Sequence, residues 1–203
     1  MGLQYGGGAN ALYVWGFDGT EDEAWDTVHT WRDINQWAVE FWDGLMDAFS
    51  DAYESPGREW SCGRLTYAFE KDLLGGTMRC RLPCGRYIHY PYLRLEQVDR
   101  GWQFTYQGTV GSSFTRKSLW RGILVENGSQ AASGSVQRDT LANLRADGVP
   151  VIGHTHDEII TQCRDDPRDT DEQKELLLDH MTTPPRWCAD LPLDCELSQG
   201  VRY

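Results

Sequence analysis

The stretch VPVIGHTHDEIITQC, residues 149–163, sets an apolar segment, a short polar centre and a second β-rich segment in a row. That order predicts a strand–turn–strand hairpin with His156, Asp157 and Glu158 near its tip. Gly148 and Pro150 stop whatever precedes it. Ionisable groups between apolar strands are costly to bury, so the tip belongs on an exposed rim or in a site. Two adjacent carboxylates suit a hard divalent cation such as Mg2+, which takes oxygen ligands and keeps waters and phosphates in its shell. A solvated acidic turn is the plainer reading. A zinc hydrolase built on His154, His156 and Asp157 is a third, but His-x-His on a strand needs a further ligand that the spacing does not supply.

Outward from the hairpin, Thr115 to Gly148 has helical character, interrupted by Asn127-Gly128 and Ser133-Gly134-Ser135, which are poor interior residues. Residues 61–110 alternate β-branched and aromatic with polar residues between glycine breaks, which predicts two or three antiparallel strands. Nearer the start, Thr20 and Glu23 form a capping box for a helix over 21–34. Asn35 then caps a second, with Ala38, Phe41, Trp42, Leu45 and Phe49 as its apolar stripe until Ser55-Pro56-Gly57. The tryptophans of this helical hairpin are expected in the core. The glycine cluster of MGLQYGGGANALYVWG reads as the end of a helix, so the chain begins as if in mid-sentence. Downstream of the hairpin, an acidic loop leads to a capping box at Thr170 and Gln173 and a short helix ending near Met181, followed by an irregular tail. The class is α+β.

The 203 residues include 19 basic and 31 acidic side chains, a net charge of -12. Such a chain does not coat nucleic acid non-specifically, although a local basic groove stays open. Arg79, Arg81, Arg86, Arg116, Lys117 and Arg121 concentrate positive charge mid-chain, suited either to tracking a phosphate backbone or to an ordinary solvated face. Nine tryptophans and a 40% hydrophobic content exclude disorder. No apolar run reaches the roughly 20 residues of a membrane span, and no signal peptide is visible, so a soluble cytoplasmic chain is expected. The six cysteines then read as free thiols, and the Cys80/Cys84 pair finds no matching half-site for zinc.

The hairpin sequence VIGHTHDEIITQC resembles motif C of the family A DNA polymerases, whose palm carries His-Asp-Glu between apolar strands. Four further segments resemble the phage-type members of that family in order. These are WRDINQWAVEFW (31–42), similar to the helix after the fingers motif, and MRCRLPCGRYIHYP (78–91), similar to a Leu-Pro-x-Gly-Arg hairpin. SLWRGILVENGSQA (118–131) resembles the palm helix leading into motif C, and WCADLPLDCELSQGVRY (187–203) resembles the C-terminus, including its Arg202-Tyr203. LQYGGG (3–8) matches the end of motif B, the fingers helix.

The resemblance implies template-directed DNA synthesis by part of a palm, with residues 1–60 as a helical remnant of the fingers and 61–203 as the C-terminal half of the palm. It implies Asp157 and Glu158 as catalytic carboxylates of a two-Mg2+ site and His156 beside the primer terminus. Gln130, with Asn127, Glu126 and Arg121 nearby, would contact primer–template DNA, and Tyr5 and Gly6 the templating base or incoming dNTP. Gly134-Ser135 stand where many members have Arg-Asp, so the contacts normally made there are not carried over to this chain, while the resemblance itself is unaffected. Motif A and the triphosphate-gripping arginine and lysine of motif B have no counterpart, so a second polypeptide is expected to supply them, in the cytoplasm of a phage-infected bacterium. Half a palm would leave a large apolar face open. A non-catalytic remnant or accessory module that binds primer–template or a polymerase is the alternative.

Overall fold

The computed structural model describes residues 2–99 and 101–201; Arg202 and Tyr203 of the C-terminal resemblance lie outside the described residues. It is a mixed α+β structure of five α-helices and three small antiparallel sheets. The helices are α1 (Ala9–Val14), α2 (Glu21–Ile34), α3 (Gln36–Glu54), α4 (Arg121–Ala146) and α5 (Pro167–Thr182). The first sheet holds β1 (Glu59–Cys62), β2 (Leu65–Glu70), β3 (Thr77–Arg81) and β4 (Tyr87–Pro91) in sequence order. The second holds β5 (Arg94–Val98), β6 (Gly101–Val110) and β7 (Ser113–Leu119), and the third is the hairpin of β8 (Val151–Thr155) and β9 (Glu158–Thr161). Among the described residues no helix is long and apolar enough to cross a membrane. The chain divides into two compact units, Met1–Gln130 and Ala131–Tyr203, so the expected boundary at residue 60 falls inside the first and the observed one inside α4.

In the first unit the period-2 burial of β2 and β3 turns Tyr67, Phe69, Met78 and Cys80 inward, and α3 packs against β2 with Phe49 on Tyr67 and Tyr53 on Phe69. Phe49 is the hub: its ring meets Tyr67, Tyr90 and Phe104 edge-on at 5.5, 5.7 and 5.2 Å. Thr20 and Glu23 form the expected capping box at the head of α2, with the Thr20 amide donating to Glu23 Oε2 at 2.7 Å. The second unit closes over Leu144 of α4, Val149, Ile159 of β9 and Leu177 of α5. That small core anchors the β8–β9 hairpin.

Several expectations need correction. Asn35 does not cap α3 through its side chain; its amide instead donates to the Trp31 carbonyl at 2.8 Å, closing the end of α2. Residues 59–110 hold six short strands, β1 to β6, rather than two or three, because turns at Gly63, Gly75-Gly76 and Gly85 reverse the chain between paired strands. Thr115 to Leu119 is strand, not helix: pairing with β6, Phe104 opposite Leu119 and Thr109 opposite Phe114, prevails over local helical character. From Arg121 onward α4 is unbroken, since Gly128 admits the Leu65 side chain and the buried Ser135 hydroxyl donates back to the Ala131 carbonyl at 2.7 Å. Helix α5 opens four residues earlier than the Thr170 cap implies. Asp166 is its cap, accepting from the Arg168 and Asp169 amides, and Pro167 occupies the first helical position. Finally, of the helical-hairpin tryptophans only Trp42 is buried, whereas Trp37 is 68% exposed.

Candidate functional site

Strands β8 and β9 pair with Thr155 opposite Glu158, which leaves His156 and Asp157 as a two-residue loop. His156 takes the left-handed conformation, φ 51°, which two-residue hairpin loops require and which glycine usually supplies. Ile159 is buried in the second unit's core, and the Gln137 side chain donates to the Glu158 carbonyl at 3.4 Å, so the base of the tip is tied to α4. His154, His156, Asp157 and Glu158 themselves are exposed. The tip thus presents two hard carboxylate donors, fitting Mg2+ or Mn2+ better than zinc. Among the described residues no group of three or more His, Cys, Asp or Glu is gathered for a metal, and the zinc set of His154, His156 and Asp157 does not assemble.

A non-glycine residue at positive φ carries a backbone cost of roughly 1 kcal/mol. Replacing His156 with glycine should therefore leave the fold at least as stable as the parent, and about 1 kcal/mol more stable than His156→Ala, the reverse of the usual Ala-over-Gly order. Urea unfolding of the three proteins checks this.

The other candidate residues lie in the first unit. Tyr5 ends a short 3-10 helix, Gly2–Tyr5, and Gly6 follows at φ 75°. The Trp42 indole donates to the Gln4 carbonyl at 3.1 Å, and the Arg32 guanidinium to the Gly7 carbonyl at 3.3 Å. These bonds hold the glycine-rich segment against α2 and α3. At the start of α4, Gly122 lets the Tyr5 carbonyl approach the helix backbone, and the Trp120 ring covers Gly6. Arg121 lies over the Trp42 ring, 5.7 Å from its centre, and ion-pairs with Asp43. Trp31 stacks parallel to Trp42 at 5.9 Å. Tyr5, Gly6 and Arg121 are thus gathered around Trp42 and Trp120, with Arg32, which the sequence reading did not single out, beside them. Burial and then the neighbouring Arg121 lower the Arg32 guanidinium's pKa from its ordinary value. No local spacing signals this pair, because the two arginines stand far apart in sequence.

Farther along α4, Gln130 donates to Glu126 at 3.3 Å on the same helix. Asn127 is half-buried and donates to the Tyr90 hydroxyl at 3.3 Å, serving the core beneath the first sheet. Burial raises the Tyr90 phenol well above its ordinary value, and that bond from Asn127 opposes the shift. Beside it, burial pushes the Cys80 thiol up to about 11. These are interior groups, and none of the six cysteines is joined in a disulfide. The mid-chain cations are largely engaged within the first unit: Arg79 with Glu70, Arg81 with Glu59, and Arg116 with the Tyr92 carbonyl and Thr105 hydroxyl. Lys117 lies over the Tyr106 ring. The chain matches no protein-family model, no curated protein and no solved structure.

Proposed function

We propose that the chain is the motif C-bearing portion of a family A DNA polymerase, contributing to template-directed nucleotide addition together with a polypeptide that supplies motif A and the rest of motif B. The observation that carries this reading is the His156-Asp157-Glu158 tip: a two-residue loop on an antiparallel hairpin that presents adjacent carboxylates to solvent. The gathering of Tyr5, Gly6 and Arg121 in the first unit supports it. Exposed apolar side chains on the second sheet, Trp102, Val110 and Phe114, support an assembly that is incomplete in this chain.

In this reading Mg2+ supplies, when bound, activation of the primer 3′-hydroxyl and stabilisation of the leaving pyrophosphate. Asp157 and Glu158 hold their share of the cation shell, and the backbone of the two-residue loop fixes where those carboxylates stand. His156 lies beside the primer terminus, Gln130 reads the nascent pair from the minor-groove side, and Tyr5 and Gly6 bound the position of the templating base and dNTP. Glu126 and Asn127 set the α4 surface around Gln130: Glu126 accepts its amide, and Asn127 ties the helix to the core. Arg121 contributes positive charge that its ion pair with Asp43 tempers. The alternative, a non-catalytic module binding primer–template or a polymerase, is favoured by the incomplete donor set at the tip.

Site-resolved Mn2+ titration tests the metal role. Substoichiometric Mn2+ should broaden the amide signals of residues 156–158 first, with an affinity of about millimolar, and Asp157→Asn should abolish the effect. Broadening centred on the acidic segment 164–173, which leads into α5, or unchanged in the variant, would contradict it.

A further inference from the structure

A groove of about 1020 Å³ runs through the first unit between α3 and the second sheet, at the top of the size range of small-molecule pockets. Its α3 wall is the helix face beside the buried one, carrying Asp43, Asp47, Ser50 and Glu54. From Asp43 to Glu54 the helix advances roughly 16 Å, three turns. The opposite wall is apolar: Leu95, Val98, Trp102 and Trp120 all line it while remaining more than a third exposed, Trp102 at 68%. Among the described residues the groove holds four carboxylates, the fourth being Asp99, against one guanidinium, that of Arg121, which Asp43 already engages. Asp47, Glu54 and Asp99 make no ion pair among the described residues.

We propose that this groove docks a cationic amphipathic helix of a partner polypeptide, about three turns long. The apolar floor takes the partner's hydrophobic stripe, with exposed indoles as anchors of the kind that dominate interface energetics. The carboxylate wall pairs with Lys or Arg flanking that stripe, and a cation over Trp102 or Trp120 adds to the attraction. Charge decides between occupants. A phosphate-bearing ligand meets an acidic wall, and a second copy brings a net charge of -12 to it. A basic segment alone complements both the groove and the chain. This inference is independent of the polymerase reading.

The probe is a labelled 14-residue Leu/Lys peptide with leucines at helical spacing, compared with a scrambled peptide of identical composition. In fluorescence anisotropy at moderate salt, Asp47→Lys with Glu54→Lys should weaken the patterned peptide at least tenfold. Asp18→Lys with Asp26→Lys, equal in charge but on exposed residues outside the groove, should weaken it less than twofold. Trp102→Ser, an exposed position that the fold tolerates, should weaken it about fivefold. Equal losses in the two charge-reversal proteins, equal binding of the scrambled peptide, or an unaffected Trp102→Ser would overturn the proposal. So would a parent dimer in sedimentation that the groove variants dissociate, because the occupant would then be a second copy.

Discussion

Phe49→Ala should remove about 4 kcal/mol of stability, the largest loss expected from any single truncation. Phe49 is fully buried and meets three aromatic rings drawn from β2, β4 and β6, so one side chain joins α3 to both sheets of the first unit. Truncation forfeits the transfer energy of the ring and leaves a cavity, typically 3–5 kcal/mol for phenylalanine. The edge-on ring pairs each add roughly 0.5–1.5 kcal/mol beyond area burial. Set against a total of about 5–15 kcal/mol for ordinary domains, the loss should leave a measurable unfolded population at 37 °C. Trp37→Ala on the same helix removes a larger but exposed ring and should change stability by no more than about 0.5 kcal/mol. Denaturant unfolding of both variants separates these outcomes, and similar losses would refute the packing.

The second large effect is Gly122→Ala. In a helix this change ordinarily stabilises by about 0.5–1 kcal/mol. Here a methyl group would overlap the Tyr5 carbonyl oxygen and the Trp120 ring, so the sign reverses to a loss of roughly 2–3 kcal/mol. The cheapest relief is displacement of the segment bearing Tyr5 and Gly6, which hydrogen exchange over residues 2–8 would report as lost protection. Gly134→Ala provides the contrast: a β-carbon there meets nothing within 4 Å, and the gain should appear as expected for helix α4. Equal behaviour of the two glycines would mean that Tyr5 does not sit against the helix.

The contrast between these glycines shows what a one-dimensional reading can and cannot reach. Both stand in α4 and both lower its local propensity, yet what distinguishes Gly122 from Gly134 is what the fold sets against it, the Tyr5 carbonyl more than a hundred residues away and the Trp120 ring. Signals written in a few neighbouring residues were legible: the Thr20–Glu23 capping box, the stop at Gly148, and the hairpin around His156-Asp157. Decisions made by distant pairing were not. Ser113–Leu119 is a strand because β6 is available to it. The start of α5 is a different case: Asp166-Pro167 is a local signal, and Thr170-Gln173 is a competing capping pattern inside the same helix. For the site, residues in one turn were legible as a unit. Arg32 was not, since its role depends on the fold bringing it to Gly7 and Arg121. Asn127 is the converse: a polar residue that reads as a surface contact and is instead committed to a buried phenol.

The central claim, that the tip at Asp157 serves nucleotidyl transfer, is tested most directly by Mg2+-dependent primer extension. The chain is assayed alone and mixed with the polypeptide encoded immediately upstream, each with Asp157→Ala as control. Extension is expected only in the mixture, reduced by about a thousandfold in the variant, equivalent to roughly 4 kcal/mol of transition-state stabilisation. A folded mixture that extends no primer, or one that extends it equally well with Asp157→Ala, would contradict it.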